Sequence, residues 1–386
     1  MGTRYFRKKS MLWKIEGAYG VDATPTGAAN AIVARDVEFT PMELEYADRD
    51  IAQSYLGHQD QIVVTAKAKI AFAVEMAGSG TAGVAPAWGP LVRSCAMSET
   101  SLVAAHAGTA TAGAGSTITL GVGASAVDDA YRGMRIRLTA GTGSGQARVV
   151  ASYDGATKVA TVSEAWTTPP DVTSGYSIDA QTVYLPISTS MEAATGYFNL
   201  DGKKHVLLGT RSSGSFVWDT SQRLPLLKFD CTALLGTISD AAMPAETRTA
   251  WKTPVPVNNA NTSWFTLHGY AGTLYSASID LANKIAYRNL VGVEDVQITD
   301  RAPAGNIEIE DPTIADKDYL TSVKSATLGA FNLLHGTAAG NQVFAHAPDV
   351  QLLSPKYGNR DGVVSLAMGM RLKPNLGNDE FVLGAL

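Results

Sequence analysis

Residues 62–76 read IVVTAKAKIAFAVEM, with Ile70, Phe72 and Val74 on alternate positions. A period of two sends successive side chains to opposite faces, so this stretch is a β-strand with one buried face. Upstream, IVARDVEFTPMELEY (32–46) alternates in the same way, and the polar segment ADRDIAQSYLGHQDQ (47–61) separates the two. Two long strands flanking an extended loop are expected. Downstream, EMAGSGTAGVAPAWGPLVRSCAM (75–97) leaves the strand through small residues. Trp88, Leu91, Val92 and Cys95 then fall at i, i+3, i+4 and i+7, the spacing of a short amphipathic helix that starts near Pro86.

Gly78, Gly80 and Gly83 fit G-x-G-x-x-G, the spacing of a phosphate-cradling turn. A dinucleotide site also needs a parallel βαβ unit with an acidic residue about 20 positions on, and a P-loop needs a terminal Gly-Lys-Ser/Thr. Neither context follows, so the small residues are read as a joint between strand and helix. GTGSGQ (141–146) joins strand to strand and points no helix N-terminus at an anion.

At 386 residues the chain exceeds what one hydrophobic core usually organises, and two or three domains are expected. Charged residues make up only 17%, which points to surface buried in assembly, and the net charge of −5 argues against gripping nucleic acid by its phosphates. The one basic cluster, Arg4 to Lys9, is assigned to an N-terminal arm (1–30) that is rich in Gly, Ala, Thr and Pro. Cys95 and Cys231 sit in apolar text and read as buried thiols of a reducing cytoplasm. No signal peptide and no apolar run of about 20 residues is visible, so no membrane span is expected.

Residues 103–180 change character. Short alternating strands at Thr117–Leu120, Met134–Thr139, Gln146–Tyr153 and Val159–Glu164, with Gly-rich turns and Asp154-Gly155, describe a small all-β module inserted into a host. Strand text resumes after it, with Phe216 and Trp218 on one face and Leu227, Phe229 and Cys231 on another, and NLDGKKH (199–205) closes a hairpin. After the linker WKTPVPVNNANTSW (251–264) come further strands, then a helix in TIADKDYLTSVKSATLG (313–329), with Thr313 and Asp316 as a capping box and Gly329 as its stop, then strands again. Both halves, without the insert, run strands, helix, strands. The fold expected is mainly β: two tandem β-sandwich units, each with a flanking short helix, plus the inserted module. Their bounds are 31–102 with 181–245, 103–180 for the module, and 246–386.

Catalytic signatures are sparse. The six histidines lack metal-ligand spacing, no Ser lies in a G-x-S-x-G elbow, and neither cysteine sits in a nucleophile motif. Glu308 and Glu310 share one face of a strand about 7 Å apart. Two carboxyls across a scissile bond serve glycoside hydrolysis, but aromatic platforms are missing nearby, and a solvent-facing acidic strand is the simpler reading.

WKIEGAYGVDATPTGAANAI (13–32), VEFTPMELEYADRDIAQSYLG (37–57), VEMAGSGTAGVAPAWGPLVRSCAMSET (74–100), NLVGVEDVQITDRAPAGNIEIEDP (289–312), FNLLHGTAAGNQV (331–343) and LKPNLGNDEF (372–381) resemble the major tail tube proteins of long-tailed, non-contractile bacteriophages. The resemblance implies tail-tube-type β units whose strands line a ring, with rings stacking into the tail tube and DNA passing through the lumen without sequence-specific binding. It implies a virion protein made in the bacterial cytoplasm, with other tail proteins as partners and neither cofactor nor catalytic residue. The loop between the long strands, with Asp48, Arg49, Asp50, Tyr55, His58 and Asp60, would reach an adjacent ring. Arg7, Lys8, Trp13 and Tyr19 of the arm would contact a neighbour, and Glu308 and Glu310 would be lumen acids. Single-unit members form hexamers, so a fused pair would close a pseudo-hexameric ring with three chains, a hexamer being the alternative. The insert would be an outer knob whose deletion leaves assembly intact. A carbohydrate-binding or carbohydrate-active β protein is the competing expectation.

Overall fold

The computed structural model describes residues 3–386. The protein is mainly β, with three short helices. The N-terminal half opens with β1 (Lys9–Ile15), the one-turn α1 (Gly27–Asn30) and β2 (Ala31–Ile32). A long hairpin, β3 (Ala34–Asp48) and β4 (Gln61–Glu75), leads into α2 (Gly89–Arg93) and β5 (Met97–Leu102). Seven short strands follow: β6 (His106–Thr109), β7 (Ala112–Gly113), β8 (Thr117–Thr119), β9 (Arg135–Ala140), β10 (Ala147–Asp154), β11 (Val159–Val162) and β12 (Gly175–Ile178). The chain returns through β13 (Gln181–Pro186), β14 (Ala194–Leu200) and a second long hairpin, β15 (Lys203–Asp219) and β16 (Leu226–Asp240). The C-terminal half holds β17 (Thr262–Leu267), β18 (Leu274–Asp280), the hairpin β19 (Asn283–Leu290) and β20 (Val293–Arg301), β21 (Ala304–Glu310), α3 (Tyr319–Lys324), β22 (Leu328–His335), a third long hairpin β23 (Val343–Arg360) and β24 (Val363–Lys373), and β25 (Val382–Ala385).

The long strands β15 and β23 each serve two layers. The first part of β15 pairs with β14, which continues to β1 and β2, while its last five residues pair with β18. The first part of β23 lies between β22 and β25, and its later part pairs with β24. β25 carries on to β13 and β5, so strands from the N-terminal half complete the back sheet of the C-terminal half. One core fills the space between the layers, from Trp13, Phe72 and Trp88 through Phe216 and Trp218 to Phe331 and Phe381.

Two readings of the sequence change here. Residues 9–15, read as part of an extended N-terminal arm, are β1, whose Met11, Leu12 and Trp13 are buried against β14 of the same chain. The run is too short for its alternation to stand out, and packing supplies the rest. Thr313 does bond Asp316, but this pair closes a turn; the helix begins later, at Asp318, whose carboxylate accepts the Thr321 N–H at 2.8 Å. Gly329 lies inside β22.

The module at 106–178 has its own seven-stranded sheet, and its core is shared with the host. Leu333, Val343, Ala345 and Leu383 of the back sheet face the main core, whereas Leu334, Phe344 and Val382 face the module, joined by Val183 and Leu185. β13 and β25 are consequently buried on both faces. Gly384 stands opposite Phe344, whose ring lies where a Cβ at 384 would be. The layers run from polar sheet to core, back sheet and module.

A polar thread ties module to host. Asn332 Nδ2 donates to Glu164 of the module at 2.8 Å, so its Oδ1 accepts from Nδ1–H of the buried His346 at 2.7 Å. Burial pushes His346 down to about 4. The native imidazole therefore stays neutral while the unfolded one takes a proton below about pH 6.5, and stability falls with pH between those values by about 1.4 kcal/mol per unit for this group. His346→Gln is expected to lower the slope of unfolding free energy against pH by one proton between about pH 6 and pH 4. An unchanged slope in urea titrations across that range would refute the assignment.

Candidate functional site

The outer face of the front sheet is a broad polar surface. Its strands run β3-β4-β16-β15-β18-β21-β24-β23, all antiparallel. Between its bulges the strands alternate. Ile307 and Ile309 enter the core while Asn306, Glu308 and Glu310 face out; Ala277 and Ile279 enter while Ser276, Ser278 and Asp280 face out. On β15 and β16, Phe216, Trp218, Leu227 and Phe229 enter, leaving Ser213, Ser215, Lys228 and Asp230 outside. Register lines these up into rows such as Ser278–Asn306–Gly369 and Ser215–Lys228–Ala73. The result is a broad floor of small and short polar side chains crossing both halves of the protein.

The strand order within that floor repeats. In the N-terminal half the first hairpin, the helix α2 and the second hairpin give β3-β4-β16-β15, so the strands lie in the order first, second, fourth, third. In the C-terminal half β18, β21, α3 and the hairpin β23–β24 give β18-β21-β24-β23, the same order. Each half also sends out a hairpin arm between its first two strands. In one it is the distal part of β3–β4, which outruns its pairing with β16 beyond Lys67; in the other it is β19–β20. The two halves join side by side through five pairs, from Ser215 with Asp280 to Asp219 with Ser276.

The residues singled out in the sequence fall as follows. Asp48, Arg49, Asp50, Tyr55, His58 and Asp60 lie exposed at the tip of the β3–β4 arm, whose base is tied by Arg49 to Asp60 at 2.9 Å and by Gln61 to Asp48 at 2.6 Å. Glu43, lower on the arm, is drawn below the usual carboxylate range, first by its bond from Lys69. Arg7 is exposed, and Lys8 approaches Asp201 at 3.4 Å. Trp13 is occupied inside its own chain, edge-on to Phe72 at 5.9 Å. Tyr19 packs beside Arg211 and bonds the Val296 backbone.

Glu308 and Glu310 do share the polar face, but they differ in state. Glu308 accepts two bonds from Arg360, at 3.0 and 2.6 Å, and one from Ser365 at 2.7 Å, which hold its carboxyl below the ordinary range. Glu310 is exposed. The face carries bases too, Lys228, Lys356 and Arg360 among them, so its charge is mixed rather than uniformly acidic. Sequence reading missed the serines and glycines of this floor. Their signal is the alternation of small polar with apolar residues in SGSFVWD (213–219), SASID (276–280) and SLAMGM (365–370).

No cluster of three or more metal-ligating side chains occurs among the described residues. Cys95 and Cys231 are buried and unpaired, and burial raises both thiols, Cys231 to about 12. No helix among the described residues is long and apolar enough to cross a membrane. No protein-family model and no curated protein matches the chain.

Proposed function

We propose that this chain is a structural subunit whose polar floor lines a channel: copies close into a ring, rings stack, and the stack conducts DNA as a phage-type tail tube. The observation that carries the reading is the twice-repeated four-strand order joined into one eight-stranded floor. Fused units of this kind favour three chains per ring, giving six units around a pseudo-sixfold axis. Short side chains keep such a wall smooth, and interspersed carboxylates deny a sliding polyanion any sustained basic grip. The distal β3–β4 arm outruns its pairing with β16 and its tip is exposed, which suits contacts to a further ring. The module stands behind the back sheet, on the side away from the floor. A glycan-cleaving reading draws no support from Glu308, whose carboxylate is already engaged by Arg360 and Ser365.

Negative-stain electron microscopy over rising concentration, with native mass spectrometry, tests this. Rings of three chains and stacked tubes are expected, while a monomer at every concentration overturns the reading.

A further inference from the structure

We infer that the two ends of the polar floor are halves of one interface between copies of this chain: residues 356–360 of β23 pair antiparallel with residues 35–40 of β3 in a second copy, in the register that β15 and β18 already use within the chain. The inference rests on the ring reading above and specifies how its subunits join.

Three observations converge on it. The first is vacancy. β14 covers one side of β15 only as far as Thr210, and β18 takes that same side from Ser215 onward. β22 likewise covers one side of β23 only as far as Gln351; beyond it, among the described residues, that side carries no strand. β3 pairs with β4 alone among the described residues, so its outer edge is open as well. Open edges of this length are normally covered in a finished assembly.

The second is burial at matched positions. Following the ladders, Phe216 pairs with Leu227 and Tyr357 with Leu366, the corresponding places of the two halves. Phe216 is 0% exposed because the second unit covers it, whereas Tyr357 is 57% exposed. A large aromatic at a position that is core in one copy of the motif and bare in the other is a surface short of its neighbour.

The third is charge. The β23 end presents Lys356 beside the Glu308-bound Arg360, and the β3 edge presents Glu38 beside the Arg35–Asp36 pair, so the complementary charges are Lys356 and Glu38. Carrying the internal register over places Tyr357 opposite Phe39, Lys356 opposite Thr40, Gly358 opposite Glu38 and Arg360 opposite Arg35, with Lys356 diagonal to Glu38; the two arginines already hold carboxylates of their own chain, Glu308 and Glu75. The occupant of each edge is thus the other edge of the same chain, a head-to-tail contact that closes if its rotation does.

The test uses the full-length chain carrying Thr40→Cys with Lys356→Cys, oxidised under assembling conditions. The native Cys95 and Cys231 are buried and do not compete. Disulfide-linked species of two and three chains are expected on non-reducing gels, with none from either single variant or from Thr40→Cys with Asn359→Cys, which is three residues out of register. Rings seen by microscopy without this cross-link would overturn the edge pairing and leave the ring reading standing. Absence of both rings and cross-links would overturn both, and cross-linked open chains without rings would support the pairing while overturning closure. Tyr357→Asp is expected to leave a folded single chain, by circular dichroism and native mass, that no longer assembles; normal assembly of that variant counts against the inference.

Discussion

Excision of residues 103–180 is expected to yield a chain that fails to fold stably or aggregates, although the text of the module reads as a detachable insert. The module covers Val183, Leu185, Leu334, Phe344, Val382 and Leu386, all of them buried in its shared core with the host. Full burial of such side chains is worth about 1.5–3 kcal/mol each. Exposing six of them forfeits roughly 10 kcal/mol, which is comparable to the 5–15 kcal/mol that typically holds a domain together. The same excision bares a contiguous apolar patch on the back sheet and invites association. Soluble yield, circular dichroism and urea unfolding of the excised chain would measure this. An excised protein that unfolds at nearly the parent's urea midpoint would show that the back sheet does not depend on its cover. Polar replacements at Leu334, Phe344 and Val382 in the excised chain should restore solubility if exposure of this face is the cause.

Arg301→Leu is the point change expected to cost most, about 3–5 kcal/mol. The Arg301 side chain is 12% exposed and its partner Glu380 only 5%. Its guanidinium also donates to the Ile187 carbonyl at 3.0 Å and to Asn378 Oδ1 at 3.1 Å, so it fixes the end of β20 to two other segments. Arg301 bonds Glu380 Oε1, and Oε2 has no hydrogen-bond partner among the described residues. Removing the cation therefore strands a buried carboxylate. The double variant Arg301→Leu with Glu380→Leu should recover most of the loss, because a buried ion pair is about break-even against apolar residues of similar volume. Chemical unfolding of the two single variants and the double closes the cycle. A loss below about 1 kcal/mol for Arg301→Leu would mean that the carboxylate finds water or another partner.

Both predictions depend on contacts that join distant parts of the chain, and this is where sequence reading stopped short. The strands at 32–46 and 62–76, the strands of the module and the strands-helix-strands order of both halves were legible, because a period of two records which side chains are buried. β1 was not legible, because seven residues with a Lys at each end of their apolar centre carry little periodic signal; its burial comes from β14 and β2. The helix start was misplaced because Thr313-x-x-Asp316 forms the same local bond in a turn as in a cap, and only the backbone after Asp318 becomes helical. Glu308 and Glu310 were correctly placed on one face by spacing alone, but that Glu308 is held by Arg360, across two strands, depends on register.

The sequence by itself determined the β class, the alternation that separates core from floor and the presence of an inserted module, since these are local patterns written in neighbouring residues. Only the tertiary structure decided that both halves share one strand order, that they join through β15 and β18 into a single floor, and that the module closes over Phe344. Those outcomes rest on which strand edges meet, and an edge offers the same backbone donors and acceptors whatever its sequence; partner choice is made by the side chains that end up buried once the sheets have packed.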